Sequence, residues 1–535
     1  MSNSFYPPAG NTLYPLLSVG AVALMHVALI WAFPFVPTQD GPVHQETTAI
    51  LARLLSGEAF WQNVYVSNWS LRTNQVYHSL LLALNQVVTL PVAERLALSA
   101  YALLFAGTVL FSLRLLRGRA AAALLTVPLL FSYVFHMGFF NLCFGYVLYP
   151  VTLALYLRQL GRSSWRSAAL LALLLSLTYY VHIVAAFVSL VSVALMHAGW
   201  LLRRAQRVPQ NAQPALRQTL QVLCALAPGF YLVAAFIFSS SRVAHPATSF
   251  LTPGRLLLSS FAPEEIVRNV ARLLVTHGYL DLFVYLPWAG LFALSALWAA
   301  RRAQRGVGNL LLLPALSLLT LSLLVPDRLG EIGFLVNRLA PFSALAFVMW
   351  LGLQRLSKRQ WRTLQLSALS LSVVTAGYLA SVFAGYSETL TRYTAAASSA
   401  RAEQFMLPVQ ADSRKPWQRV QPLHHAASYV ALERGLVNFR NYQASKPYFP
   451  VTFRSSFNPY VQLGTDVRIE SPPYTFAPER FQQQTGCPLT YLLLWQNAAP
   501  LLPEGVADNY VPVYAQAEAT LLERRSSTRC QPSAD

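Results

Sequence analysis

Charge is scarce in this chain. Only 11% of its 535 residues are Asp, Glu, Lys or Arg, while 55% are hydrophobic; the usual charged share is about 25%. A soluble protein of this length needs far more polar surface to cover its cores. Several soluble domains are therefore excluded, and a polytopic membrane protein is left. Acid is scarcer still: residues 1–386 hold 26 basic and 9 acidic residues, and 387–535 hold 14 and 12. The net charge of +19 would suggest nucleic acid in a soluble chain. Here the excess lies in the apolar part, so no nucleic-acid partner is expected. Four cysteines, with no CxxC pair and no Cys/His cluster, exclude zinc-ribbon and redox-disulfide motifs. There is no internal repeat and no low-complexity tract.

What is present is a series of long apolar runs. About 20 mostly apolar residues cross a bilayer as a helix. Runs of that kind occur at 12–33, 93–113, 120–135, 139–157, 168–182, 183–202, 218–238, 281–300, 308–325, 339–354 and 364–386. The uncharged stretch 168–202 is long enough for two spans with a minimal turn near His182. The first run has no basic segment before it and no small-residue cleavage site after it, so it reads as an uncleaved anchor.

Arginine sets the expected orientation. The loops 114–119, 158–166, 203–217, 301–305 and 355–362 carry 17 basic residues and no acid. By the positive-inside rule these loops are cytoplasmic. Eleven spans, with the N-terminus inside and the C-terminus outside, place all five there. Residues 76–90 must then lie at the outer surface or re-enter the membrane, and His78, Asn85 and Gln86 favour the interface. The first outer loop becomes 34–92, with two interfacial helices. After 386 both charge signs, Pro, Gln and Asn appear. Residues 387–535 read as a small extracytoplasmic α/β domain, with a helix at 429–437 and strands at 488–496 and 509–522. Cys487 and Cys530 fall there, where an oxidising compartment permits a disulfide; Cys143 and Cys224 lie in apolar runs.

Ionisable groups at a membrane face are costly, so each carries information. Asp40, His44 and Glu46 follow the first span in PFVPTQDGPVHQETTAILARLL (34–55). Asp40 also reads as a helix N-cap before Pro42, but a cap leaves His44 unexplained. Asn74 and His78 in RTNQVYH (72–78) are spaced to share a helix face. His136 and Asn141 open another span; Asn141 suits either an interhelical bond or a substrate, and His182 has the same standing. Arg242 and His245 lie in the third outer loop, beside an amphipathic segment with Glu264, Glu265, Arg268 and Arg272. The dense loop 326–338 holds Asp327, Arg328, Glu331, Asn337 and Arg338. Its arginines suit pairing with the acids or binding a phosphate equally well.

An anchor helix, a long outer loop opening on an aspartate, many further spans and an outer C-terminal domain together resemble the GT-C glycosyltransferases. More closely, DGPVH (40–44), TNQVYH (73–78), AERL (93–96) and GFFN (138–141) are similar to a bacterial family of GT-C-like membrane proteins. The resemblance implies an α-helical polytopic fold in the bacterial inner membrane. It also implies transfer of a sugar from a polyprenyl-phosphate donor to an extracytoplasmic glycan, lipid or protein, with Asp40 as general base and inversion at the anomeric centre. Residues 40–42 read Asp-Gly-Pro rather than a paired acid, so no metal ion is indicated. Arg328, Arg338 and Arg242 are the expected phosphate ligands, with Glu46, Asn74, His78, His136, Asn141 and His182 as further contacts. Asp40, His44 and at least one of Arg328 and Arg338 are expected to face one cavity. The rival readings are a transporter or flippase of lipid-linked precursors and a non-catalytic scaffold. Polar groups at mid-membrane would mark a transporter; here they crowd the expected outer face.

Overall fold

The structure is a computed structural model, and it describes residues 13–70, 72–161, 163–206, 213–243, 263–274, 282–302, 306–328, 333–410, 420–464, 468–496, 498–525 and 530. Among them, nine helices are long and apolar enough to cross a membrane: Leu13–Ala32, Leu90–Leu115, Phe140–Gly161, Ile183–Ala205, Gln213–Phe238, Phe283–Ala300, Val307–Leu324, Leu335–Gly352 and Lys358–Ser399. Two shorter apolar segments, Ala120–His136 and Trp165–Val181, fall on the remaining expected runs. The chain is an integral membrane protein. Residues 76–90 do not form a span. Their helix, Val76–Leu84, has nine residues and is only about 14 Å long at 1.5 Å per residue. The turn between Trp165–Val181 and Ile183–Ala205 is a single residue, His182, whose Nδ1 accepts from Val184 N at 3.1 Å.

The chain packs as two units. The larger comprises 1–29, 98–135 and 139–378; the smaller comprises 30–97, 136–138 and 379–535. The smaller unit thus joins the first loop to the C-terminal segment. Within the larger unit, polar pairs bind apolar helices to one another. Tyr149 OH lies 2.9 Å from Ser192 Oγ, and Gln159 Nε2 donates to Gln221 Oε1 at 2.8 Å.

The smaller unit is built on a mixed five-stranded sheet in the order β3-β2-β5-β7-β6. Its strands are β2 (Phe405–Val409), β3 (Val437–Asn438), β5 (Leu489–Trp495), β6 (Tyr510–Ala515) and β7 (Ala519–Arg524). β3, β2 and β5 run parallel, and β7 and β6 complete the sheet antiparallel. The expected single strand at 509–522 is therefore a hairpin. Pro512 cannot donate to a ladder, and it sits in the edge strand β6. Side chains alternate across β2 and β5. Phe405, Leu407, Val409, Leu492 and Leu494 join one core with Ile50, Leu51, Leu54 and Trp61 of the first loop. Met406, Tyr491, Leu493 and Trp495 join the other with Leu390, Tyr393 and the Ala427–Arg434 helix. With both faces covered, every residue of β5 is buried, and six of its seven residues are apolar, as a strand covered on both faces requires. A second pairing ties the loop down: β1 (Tyr65–Ser67) runs antiparallel to β4 (Val451–Phe453). Cys487 and Cys530 form a disulfide, and Cys143 and Cys224 are free.

Candidate active site

The Gly41–Leu55 helix sends Ile50, Leu51 and Leu54 into the sheet core, which fixes where its first turn lies. Asp40 occupies the N-cap position, but its side chain makes no capping hydrogen bond. The backbone holds it instead: Gln39 N donates to His136 O at 2.8 Å and Asp40 N to Met137 O at 3.1 Å. Gly138 makes this approach possible. Its φ is +81°, and a Cβ there would lie 2.9 Å from both the Cβ and the backbone N of Asp40. Glycine meets both demands, having no Cβ and a free choice of φ.

The carboxylate of Asp40 faces the segment after β3. Tyr442 OH donates to Asp40 Oδ2 at 2.8 Å, and His425 Nε2 lies 3.6 Å from Oδ1. The same segment answers the rest of the helix start. Asn438 Nδ2 donates to Glu46 Oε2 at 3.0 Å, and Asn441 Nδ2 to Thr47 Oγ1 at 3.4 Å. Gln443 Nε2 donates to His44 Nδ1 at 3.1 Å. A carbonyl only accepts, so the His44 Nε2–H donates to Gly138 O at 2.9 Å, which leaves Nδ1 as the acceptor. His78 Nε2 completes the set against Gln443 Oε1 at 3.1 Å. Residues 40–47 and 438–443 thus form one buried polar interface, with Gln45 turned aside to Glu94 Oε2 at 2.6 Å.

Burial sets the protonation states. It pushes His44 well below the ordinary imidazole range, with His78 beside it adding to the effect, and lowers His78 to about 4. His425 is lowered in the same way, chiefly by burial and then by His424. All three rings are therefore neutral at pH 7. Burial raises Glu46 to about 7, against the pull of its hydrogen bonds to Ser428, Asn438 and Asn441. Burial, then the charge of Asp40, raises Tyr442 well above the phenol range, so it remains a hydrogen-bond donor. The arrangement presents one carboxylate, a phenol and an imidazole around it, and neutral amides and rings behind. Among the described residues, no group of three or more His, Cys, Asp or Glu could hold a metal ion.

Neither a family model nor a curated protein matches the sequence. A solved structure does match: ArnT from Cupriavidus metallidurans bound to undecaprenyl phosphate. The two share a TM-score of 0.55 at 13% identity, over 96% of this chain and 98% of that one. The fold is GT-C-like.

On this GT-C-like frame the expected site residues divide between the units. Asp40, His44, Glu46, Asn74, His78 and His136 belong to the smaller unit, and Asn141, His182, Arg328 and Arg338 to the larger. Asn74 does not share a helix face with His78. It lies before the helix with φ +67°, a left-handed turn that asparagine tolerates better than most residues. His136 ends a short helix, its ring edge-on to Phe383. Asn141 is buried in the Phe140–Gly161 helix. Asp327 pairs with Arg272 at 3.5 Å, and its Oδ1 accepts from Val336 N at 3.3 Å. Arg338, in the Leu335–Gly352 helix, holds its guanidinium 4.3 Å over the Phe139 ring. Arg328 is exposed. The side chain of Arg242 and residues His245 and Glu331 lie outside the described residues.

Sequence reasoning missed His425, Asn438, Asn441, Tyr442 and Gln443. For the last four the signal was the polar run NFRNYQ (438–443), close behind an apolar helix; no such run marks His425. It also missed Arg440, a buried arginine whose NH2 donates to Glu470 O at 3.1 Å.

Proposed function

We propose that the protein is a GT-C-type glycosyltransferase taking its sugar from a polyprenyl-phosphate donor. The observation that carries the reading is the Asp40 carboxylate: buried, not used in capping, and bonded by Tyr442 within a fold like that of ArnT. That neighbour was solved with undecaprenyl phosphate, which supports a lipid-linked donor here.

In the proposed reaction Asp40 accepts the proton of the acceptor hydroxyl as that oxygen bonds to the anomeric carbon. The bond from that carbon to the phosphate oxygen breaks on the opposite side, so the centre inverts and polyprenyl phosphate leaves. Tyr442 and His425 hold the carboxylate in place, while the His44–Gln443–His78 set braces the turn behind it. The growing charge on the phosphate calls for cations opposite it. Transfer takes place on the extracytoplasmic side.

The test is Asp40→Asn in a defined assay with a polyprenyl-phosphate sugar. The variant keeps the size and an oxygen to accept from Tyr442 but loses the base. Transfer should fall about 10²–10⁴-fold while thermal unfolding in detergent is unchanged. Full activity in the variant would end the general-base assignment.

A further inference from the structure

A second feature of the smaller unit stands outside the Asp40 network. Where the Lys358–Thr394 helix runs on past residue 379, it borders a cavity of about 440 Å³. The lining includes Gly385, Tyr386, Thr389, Gln421, Trp495 and Gln496. That volume lies within the ordinary small-ligand range of roughly 300–1,000 Å³. No Lys, Arg, Asp or Glu is among the described residues that line it. A phosphate or carboxylate would find no opposite charge there, and burying it unpaired is costly. A plain hydrocarbon would strip water from the Gln421 and Gln496 amides without replacing its bonds. A sugar ring answers both conditions. Its hydroxyls match amide and hydroxyl partners, and its C–H face suits an aromatic wall such as Tyr386 or Trp495.

The cavity also shares a wall with the Asp40 site. Gln421 N donates to Gln39 Oε1 at 3.1 Å, and Gln39 directly precedes Asp40. Three residues on, His424 N donates back to Gln421 O at 2.9 Å, closing a tight turn. The next residue, His425, is the imidazole facing Asp40. A single short segment, 421–425, therefore lines the cavity at one end and touches the carboxylate at the other.

We infer that this cavity binds a neutral saccharide unit of the acceptor. The acceptor role rests on the transferase reading; the saccharide site itself does not. Gly385 provides the decisive variant. A Cβ at Gly385 meets nothing within 4 Å, so a side chain can start there without strain; Gly385→Leu adds bulk to the cavity wall, and leucine favours a helix more than glycine does.

The full chain in detergent would be probed with methyl glucosides, galactosides and mannosides by ligand-observed saturation-transfer NMR. At least one neutral glycoside should bind, and Gly385→Leu should weaken it by about tenfold or more with an unchanged unfolding midpoint. Gln421→Leu, which keeps the backbone bond to Gln39, should weaken binding in parallel with Gly385→Leu. No binding by wild type, equal binding by Gly385→Leu, or stronger binding of glucose 1-phosphate than of any neutral glycoside would overturn the inference. Glycoside binding lost in Gly385→Leu, without transfer from any polyprenyl-phosphate donor, would keep the saccharide site and sink the transferase reading with its acceptor role.

Discussion

Tyr442 donates a hydrogen bond of 2.8 Å to Asp40 across 402 residues of sequence. The bond joins the first turn after the anchor helix to the loop after β3, and it gives the carboxylate a fixed direction. A side chain at an N-cap would ordinarily turn back on its own helix to accept from the second or third amide. Here Tyr442 draws it away.

Tyr442→Phe should therefore separate positioning from chemistry. A hydrogen bond to a charged group is worth about 1.5–3 kcal/mol, so transfer should fall roughly tenfold to a hundredfold. The loss should appear in kcat more than in KM, and it should stay smaller than that of Asp40→Asn. A Tyr442→Phe enzyme with wild-type kcat would show that the carboxylate needs no such support.

Glu46 predicts a pH signature in stability. Its folded value is raised from 4.5 to about 7, so the folded state holds the proton more tightly than the unfolded chain. The contribution is complete below about pH 4.5 and is lost as pH rises through 7, at most roughly 3 kcal/mol in all. The buried histidines act in the opposite sense: below their ordinary value of 6.5 the unfolded chain takes protons that the folded rings refuse. Comparison with Glu46→Gln isolates the carboxyl, because glutamine stays neutral and keeps an oxygen for Asn438. Relative to wild type, Glu46→Gln should gain in unfolding midpoint between pH 5 and pH 8. A constant difference across that range would contradict the raised value.

Gly138→Ala should damage the site from behind. The new methyl would meet Asp40 at 2.9 Å in a backbone region with φ +81°, where any L side chain is strained. A loss of about 1–3 kcal/mol should accompany reduced transfer. Gly57→Ala makes the control. It has φ +83° but nothing within 4 Å, so it should lose stability through strain and leave transfer intact.

The orientation is tested by thiol labelling in intact cells. A cysteine at Arg117, which is exposed in a loop rich in arginine, should be protected from an impermeant reagent. One at Ser398, also exposed, should react. Labelling of position 117 from outside would overturn the eleven-span arrangement.

Hydropathy located the apolar segments, because burial in lipid is a demand that each helix meets with its own residues, and the placement of the arginines dismissed 76–90 as a span. Hydropathy also placed β5, where six of the seven residues are apolar. The boundaries of the 429–437 helix were close, since Gly435 at φ +66° stops it locally. Asp40, His44, Glu46 and His78 stood out for a similar reason: ionisable residues beside a membrane are costly wherever they occur. Their partners did not stand out. Asn438 ends the short strand β3, Asn441, Tyr442 and Gln443 follow it as ordinary polar residues, and nothing local marks them as buried. Only the packing of Ile50, Leu51 and Leu54 against the sheet brings 40–47 onto 438–443 and turns two polar stretches into one closed network. The sequence by itself determined which segments are apolar and which charged groups must be accounted for. The tertiary structure decided which groups meet, because hydrogen bonds between segments some 400 residues apart depend on how the core packs and leave no periodicity in the chain.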